Sequence, residues 1–188
     1  MRLTTAALMV SSLFFAASAA FAAPQASAPD EIDRLLAEKG LLTQLSDHLG
    51  QVRQSVGEKA SELVVNAMGF LGVPYRRGGN SVETGFDCSG FVRAMYQQTV
   101  GLILPRSADQ QAAATQTIDK NDLQPGDLVF FNTMRRAFSH VGIYIGDNKF
   151  IHSPKPGAEV RVDDMRLGYW KTRFNGARRV ESTVAAQP

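Results

Sequence analysis

Leu42, Leu45, Leu49, Val52 and Val56 recur at alternating spacings of three and four, which predicts an apolar stripe along one face of a helix. Asp30 is placed to cap its start, and Asp33 suits the positive end of a helix dipole. Gly40 and Gly50 weaken this stripe. A second stripe (Leu63, Val64, Ala67, Met68, Leu71) predicts a helix from Ala60 to Leu71, ended by Gly72 and Pro74. Residues 89–98 read as a third helix, entered through Asp87 and Cys88. The period then changes. Pro125-Gly126-Asp127 predicts a turn into the apolar strand 128–131, and 140–145 predicts a second strand. Gly146-Asp147-Asn148 turns that strand back into 149–152, a β-hairpin. Short strands are expected at 160–162 and 178–180. Helices first and antiparallel strands afterwards predict an α+β fold, with no internal repeat.

Composition agrees with a packed domain: 44% hydrophobic and 20% charged residues are close to globular averages. The N-terminus bears on the compartment. Arg2, the uncharged run through Phe15 and the Ala20-Phe21-Ala22 site predict a signal peptide over residues 1–22. A flexible leader and helical extension are then expected over 23–57, the main domain over 58–182 and a disordered tail over 183–188. The expected product is exported, periplasmic or cell-envelope, soluble, monomeric and without an integral membrane span after signal removal. No cysteine lies at the cleavage site, so no lipid anchor is expected. A formal net charge of +2 gives no reason to invoke nucleic acid. The helix over 30–57 is a candidate surface for a protein adaptor.

Cys88 is the only cysteine, so no internal disulfide is available and a reactive thiol becomes a candidate. At the first turn of a helix, unpaired N–H groups and the positive dipole end favour the thiolate, the form that attacks. The Asp87 carboxylate opposes that charge, so its side chain is expected to turn away and bond local backbone amides. Gly90 allows close approach of another element behind the sulfur. The chain has three histidines, and His140 and His152 flank the predicted hairpin. Given the right register they share a face: His140 would take the thiol proton and His152 would orient it. The competing readings are a buried, inert cysteine, core histidines, or zinc held by Cys88, His140 and His152 with Asp87 or Asp127. The spacing is not that of a compact structural zinc site.

The strings Tyr75-Arg76-Arg77-Gly78-Gly79, Asp87-Cys88-Ser89-Gly90-Phe91-Val92, Leu104-Pro105-Arg106-Ser107, 125–131, 139–144, 150–152 and 176–180 together resemble the NlpC-type cell-wall endopeptidases, a papain-like group. The resemblance runs from about residue 58 to 181. It implies a papain-like α+β fold with helices packed on a central antiparallel sheet. It also implies Cys88 as nucleophile, His140 as base and His152 as the polar orienting residue. Tyr75 matches a position that helps bind substrate or the oxyanion, and Asp87, Ser89 and Arg106 match positions lining the substrate groove. The implied substrate is a peptidoglycan stem peptide, cut at the γ-D-glutamyl–diaminopimelate bond with no metal or cofactor. Cleavage of the D-alanyl–diaminopimelate cross-link, or a non-catalytic wall-binding module, are the alternatives.

Overall fold

The computed structural model describes residues 41–181. The expected signal peptide and leader, the Asp30 cap and the C-terminal tail lie outside the described residues. The chain divides between Asp47 and His48, and the unit from His48 onward carries the sheet and the cleft. Among the described residues, no helix is long and apolar enough to cross a membrane.

Where the sequence pattern predicts two helices, one continuous helix, α1 (Leu41–Met68), runs through Gly50 and Gly57. A glycine inside a helix costs about 1 kcal/mol, which lowers stability without breaking the hydrogen-bond ladder. Leu63 and Ala67 of the second predicted stripe are buried, whereas Leu49 and Val52 of the first stay exposed. A two-stranded ribbon follows, β1 (Asn80–Ser81) with β2 (Gly85–Phe86), and leads into α2 (Cys88–Val100). Next come α3 (Ala108–Ala113), β3 (Gln116–Ile118), a single 3₁₀ turn, β4 (Leu128–Phe131), β5 (His140–Gly146), β6 (Lys149–His152), β7 (Arg161–Asp164), α4 (Gly168–Lys171) and β8 (Phe174–Arg179). The predicted short strands thus begin or end a few residues away from their expected bounds, and α3, β3 and α4 had no clear signal.

β3 to β8 form one sheet in the order β3-β8-β4-β5-β6-β7, antiparallel at every pairing. This is the α+β architecture expected from the sequence. Alternate residues of the sheet serve two cores. Leu128, Phe130, Val141, Ile143 and Ile151 pack with Leu63, Ala67, Phe91 and Met95 from the helices. Val129, Phe131 and Phe150 pack with Met165 and Trp170. Both faces of β4 are therefore covered, which is why its sequence is a solid apolar run.

The β5–β6 hairpin turns on Asp147 and Asn148, both at positive φ (51° and 57°), the backbone that suits a right-twisted two-residue turn. Gly146 pairs with Lys149, but the next pair is Tyr144 with Phe150, so Ile145 is an extra residue on β5. That one-residue bulge fixes the register of the strands that carry the histidines.

Candidate active site

Cys88 is the first residue of α2, and the preceding segment is held from several sides. Asp87 is extended (φ −89°, ψ 176°) and caps the helix by accepting from Gly90 N–H at 2.7 Å. Gly78 N–H and Ser89 Oγ–H also donate to the Asp87 carboxylate. Arg106 adds a two-pronged ion pair, Nη1 to Oδ1 at 3.0 Å and Nη2 to Oδ2 at 2.6 Å. The carboxylate thus turns to local amides, as the sequence led us to expect. A Cβ on Gly90 would overlap the Gly79 carbonyl oxygen, which explains the glycine behind the nucleophile position. Farther along α2, Tyr96 O–H donates to Gly126 O, and Asp127 of that turn is paired with Arg179 of β8, so the helix is tied to the sheet.

His140 opens β5 and His152 ends β6. His140 Nε2 lies 2.7 Å from His152 Nδ1, and His152 Nε2 lies 3.0 Å from Asp163 Oδ2 on β7. His152 is fully buried. It pairs with Arg161 across the β6–β7 ladder, and Asp163 is its diagonal neighbour on the same face. Arg161 and the Trp170 indole N–H donate to the same Asp163 oxygen. Among the described residues His140 Nδ1 has no hydrogen-bond partner, so it is the ring nitrogen left for a thiol.

A cleft of about 530 Å³ is walled by Tyr75, Cys88, Ser139, His140, Lys155, Arg161, Asp163 and Trp170, together with six neighbours. The structure therefore brings Cys88, His140 and Tyr75 to one opening, with His152 standing behind His140. Tyr75 is fixed by its backbone, which bonds Ala158 O at 2.8 Å. Burial first, and then the neighbouring Cys88 and Asp87, hold its hydroxyl above the usual phenol range. Asp87, Ser89 and Arg106 bond to one another and are not among the walls.

Electrostatics modify the expectation of a resting thiolate. Cys88 is partly exposed as a residue, yet its sulfur is desolvated, and burial pushes the thiol up to about 11. Asp87 adds to the rise; backbone N–H groups of Val141, Ser89 and Cys88 oppose it without prevailing. The cost of dehydrating an anion exceeds what a few helix-terminal N–H groups return. His140 is held well below the ordinary imidazole value, by burial and by His152, with Asp163 opposing. Burial likewise lowers His152 against the pull of Asp163. Burial would raise Asp163, but hydrogen bonds from His152 and Arg161 outweigh it and hold the carboxyl at about 2. Burial thus favours the neutral forms of the Cys88 thiol and of both imidazoles at rest, with the Asp163 carboxylate behind His152. Among the described residues, no group of three or more histidine, cysteine or carboxylate side chains has the arrangement of a metal site.

Sequence reading missed Asp163 and Trp170. The available signal was alternation: Arg161 and Asp163 lie two apart on a strand, hence on one face. It became visible only once the β6–β7 register was known.

Residues 72–179 match the family model described as the NlpC/P60 family. The chain is 40% identical over 139 residues to murein DD-endopeptidase MepH of Escherichia coli, covering 72% of this chain and 51% of that protein. It is 40% identical over 121 residues to gamma-DL-glutamyl hydrolase of Bacillus subtilis, covering 64% and 29%. The crystal structure of an NlpC/P60 family protein from Bacillus cereus superposes with a TM-score of 0.59 at 38% identity, covering 64% of this chain and 39% of that one. The chain thus spans about half the length of the first of these relatives and less than a third of the second.

Proposed function

The chain belongs to the NlpC/P60 family, and from that premise we propose that it is a cysteine-type endopeptidase acting on peptidoglycan stem peptides in the cell envelope. The observation that carries this reading is the cleft itself: Cys88 at a helix N-terminus and His140, backed by His152, open onto the same space.

With both partners neutral at rest, attack and proton transfer are coupled. The Cys88 sulfur adds to the amide carbonyl carbon as its proton passes to His140 Nδ1, and the carbonyl π pair moves onto oxygen. The Cys88 backbone N–H and the Tyr75 hydroxyl are the donors assigned to that oxyanion. When the intermediate collapses, the C–N bond breaks and the imidazolium gives its proton to the leaving amine. Water, deprotonated by His140, then hydrolyses the thioester and returns the thiol. Asp87, Ser89 and Arg106, assigned to the substrate groove from the resemblance, act in this reading chiefly by holding the helix start that presents Cys88. Lys155 on the cleft wall carries the sign that suits a substrate with free carboxylates.

The bond cut in this reading is γ-D-glutamyl–diaminopimelate, in keeping with the name of the Bacillus relative. A second reading, the D-alanyl–diaminopimelate cross-link, is favoured by the Escherichia relative, a DD-endopeptidase by name. Incubation of the purified protein with isolated sacculi, followed by mass spectrometry of the soluble fragments, separates the two by the new termini. Cys88→Ala is expected to release no fragments at an unchanged melting temperature, His140→Ala to release none while still folding at a lower melting temperature, and His152→Asn to release them more slowly. Full activity in Cys88→Ala would overturn the proposal.

A further inference from the structure

We propose that Asp163 is the positioning residue of this site. Its carboxylate keeps a proton on His152 Nε2, which makes His152 Nδ1 the acceptor for His140 Nε2–H and leaves the His140 Nδ1 lone pair for the thiol. The inference rests on the cysteine-peptidase reading and extends the array of functional groups from three members to four.

The polar contacts of Asp163 Oδ2 are all with nitrogen: His152 Nε2 at 3.0 Å, Arg161 Nε at 3.2 Å and Nη2 at 3.0 Å, and Trp170 Nε1 at 3.1 Å. Guanidinium and indole N–H groups can only donate, so the oxygen they share is an acceptor. His152 Nε2 must then carry hydrogen. A neutral imidazole has one N–H and one lone pair, so His152 Nδ1 accepts, and the atom 2.7 Å away, His140 Nε2, donates. One carboxylate thereby orders two rings in series.

Trp170 closes the arrangement. The indole that donates to Asp163 also stacks on His140 (centroids 5.5 Å apart, planes 25° apart) and meets His152 edge-on at 5.0 Å. Both rings are confined by the side chain that anchors the carboxylate. Once His140 has taken the thiol proton it is a cation, and an aromatic face beside it together with the Asp163 charge one ring away favours that state. The charged and titratable groups around the pair are Cys88 and Asp87 at the start of α2, Tyr75 on the cleft wall, and Arg161 and Asp163 on β7. β4, β6 and α4 contribute Phe131, Phe150 and Trp170.

The test has one arm without substrate and one with it. Long-range ¹H–¹⁵N correlation of the wild-type imidazoles at neutral pH is expected to show both histidines protonated on Nε2 and bare on Nδ1. A proton on His152 Nδ1 overturns the proposal. In the second arm, Asp163→Asn keeps an oxygen for the same donors but removes the charge. Its kcat is expected to fall by roughly 10²-fold, the low end of what general acid–base catalysis contributes, with KM unchanged. Because Asp163 raises both histidines, the acid limb of kcat/KM is expected to move to lower pH, and Asp163→Glu to restore part of the rate. An unmoved limb with an unchanged kcat overturns the proposal. Activity surviving in Cys88→Ala would instead sink the enzyme reading, whereas an inactive Cys88→Ala beside a fully active Asp163→Asn would sink this inference alone.

Discussion

His140 and His152 meet at 2.7 Å because β5 contains one residue more than the hairpin needs. The turn pairs Gly146 with Lys149; continued without interruption, that register would set Ile143 opposite His152 and turn His140 to the other face. The extra Ile145 shifts the pairing to Tyr144–Phe150 and Ile143–Ile151. Gly142 then lies alongside His152, and His140, two residues away, shares its face.

Gly142 has to be small for this to work. A Cβ there would sit 2.6 Å from Phe150 Cδ2 and 2.9 Å from the Ile151 carbonyl oxygen. Gly142→Ala is expected to cost about 1–3 kcal/mol through overpacking and to separate the two rings. Thermal unfolding should show the lower melting temperature, and turnover on sacculi should fall with it; an unchanged rate would mean the ring pair tolerates the shift.

The thiol of Cys88 should react sluggishly at neutral pH. A rise from 9.0 to about 11 leaves roughly a hundredfold less thiolate, offset in part because a more basic thiolate is the better nucleophile. Alkylation by iodoacetamide is therefore expected to run about tenfold slower than for a model thiol and to accelerate toward alkaline pH. Since the Asp87 carboxylate contributes to the rise, Asp87→Asn should quicken it. A wild-type rate above that of the model thiol would restore the resting thiolate that the helix terminus alone suggested.

Acid should weaken the fold in two stages. His140 and His152 are both lowered in the folded protein, so below an unfolded value of about 6.5 the unfolded chain binds more protons and stability falls as pH drops. Asp163, held at about 2, contributes stability that is fully present above the unfolded carboxyl value of about 4 and is lost as pH falls toward 2. Melting temperatures of wild type and Asp163→Asn, followed from pH 7 to pH 2, should converge in the lower window. A constant gap would assign the loss to other groups.

Much of this protein was legible in its sequence, because local physics operates there. A solitary cysteine after Asp87, a glycine two residues on and a histidine at each end of a predicted hairpin are short-range statements about capping, close approach and strand period. They were enough to nominate Cys88, His140 and His152, to foresee that Asp87 turns from the sulfur to local backbone amides, and to expect helices against an antiparallel sheet. The continuous α1 was misread as two helices because glycine lowers helix propensity without ending a helix.

Tertiary structure decided the rest, since each remaining question concerned groups far apart along the chain. Strand alternation has a period of two, so a single bulged residue reverses which face every later side chain occupies, and no local signal marked Ile145 as that residue. Asp163 and its neighbour Asp164 look alike in sequence; only pairing with β6 turns one toward His152 and leaves the other bonded to Arg166. The charge state of the sulfur likewise followed from how completely folding removes water around it, a property of the packed volume that helix position alone does not contain.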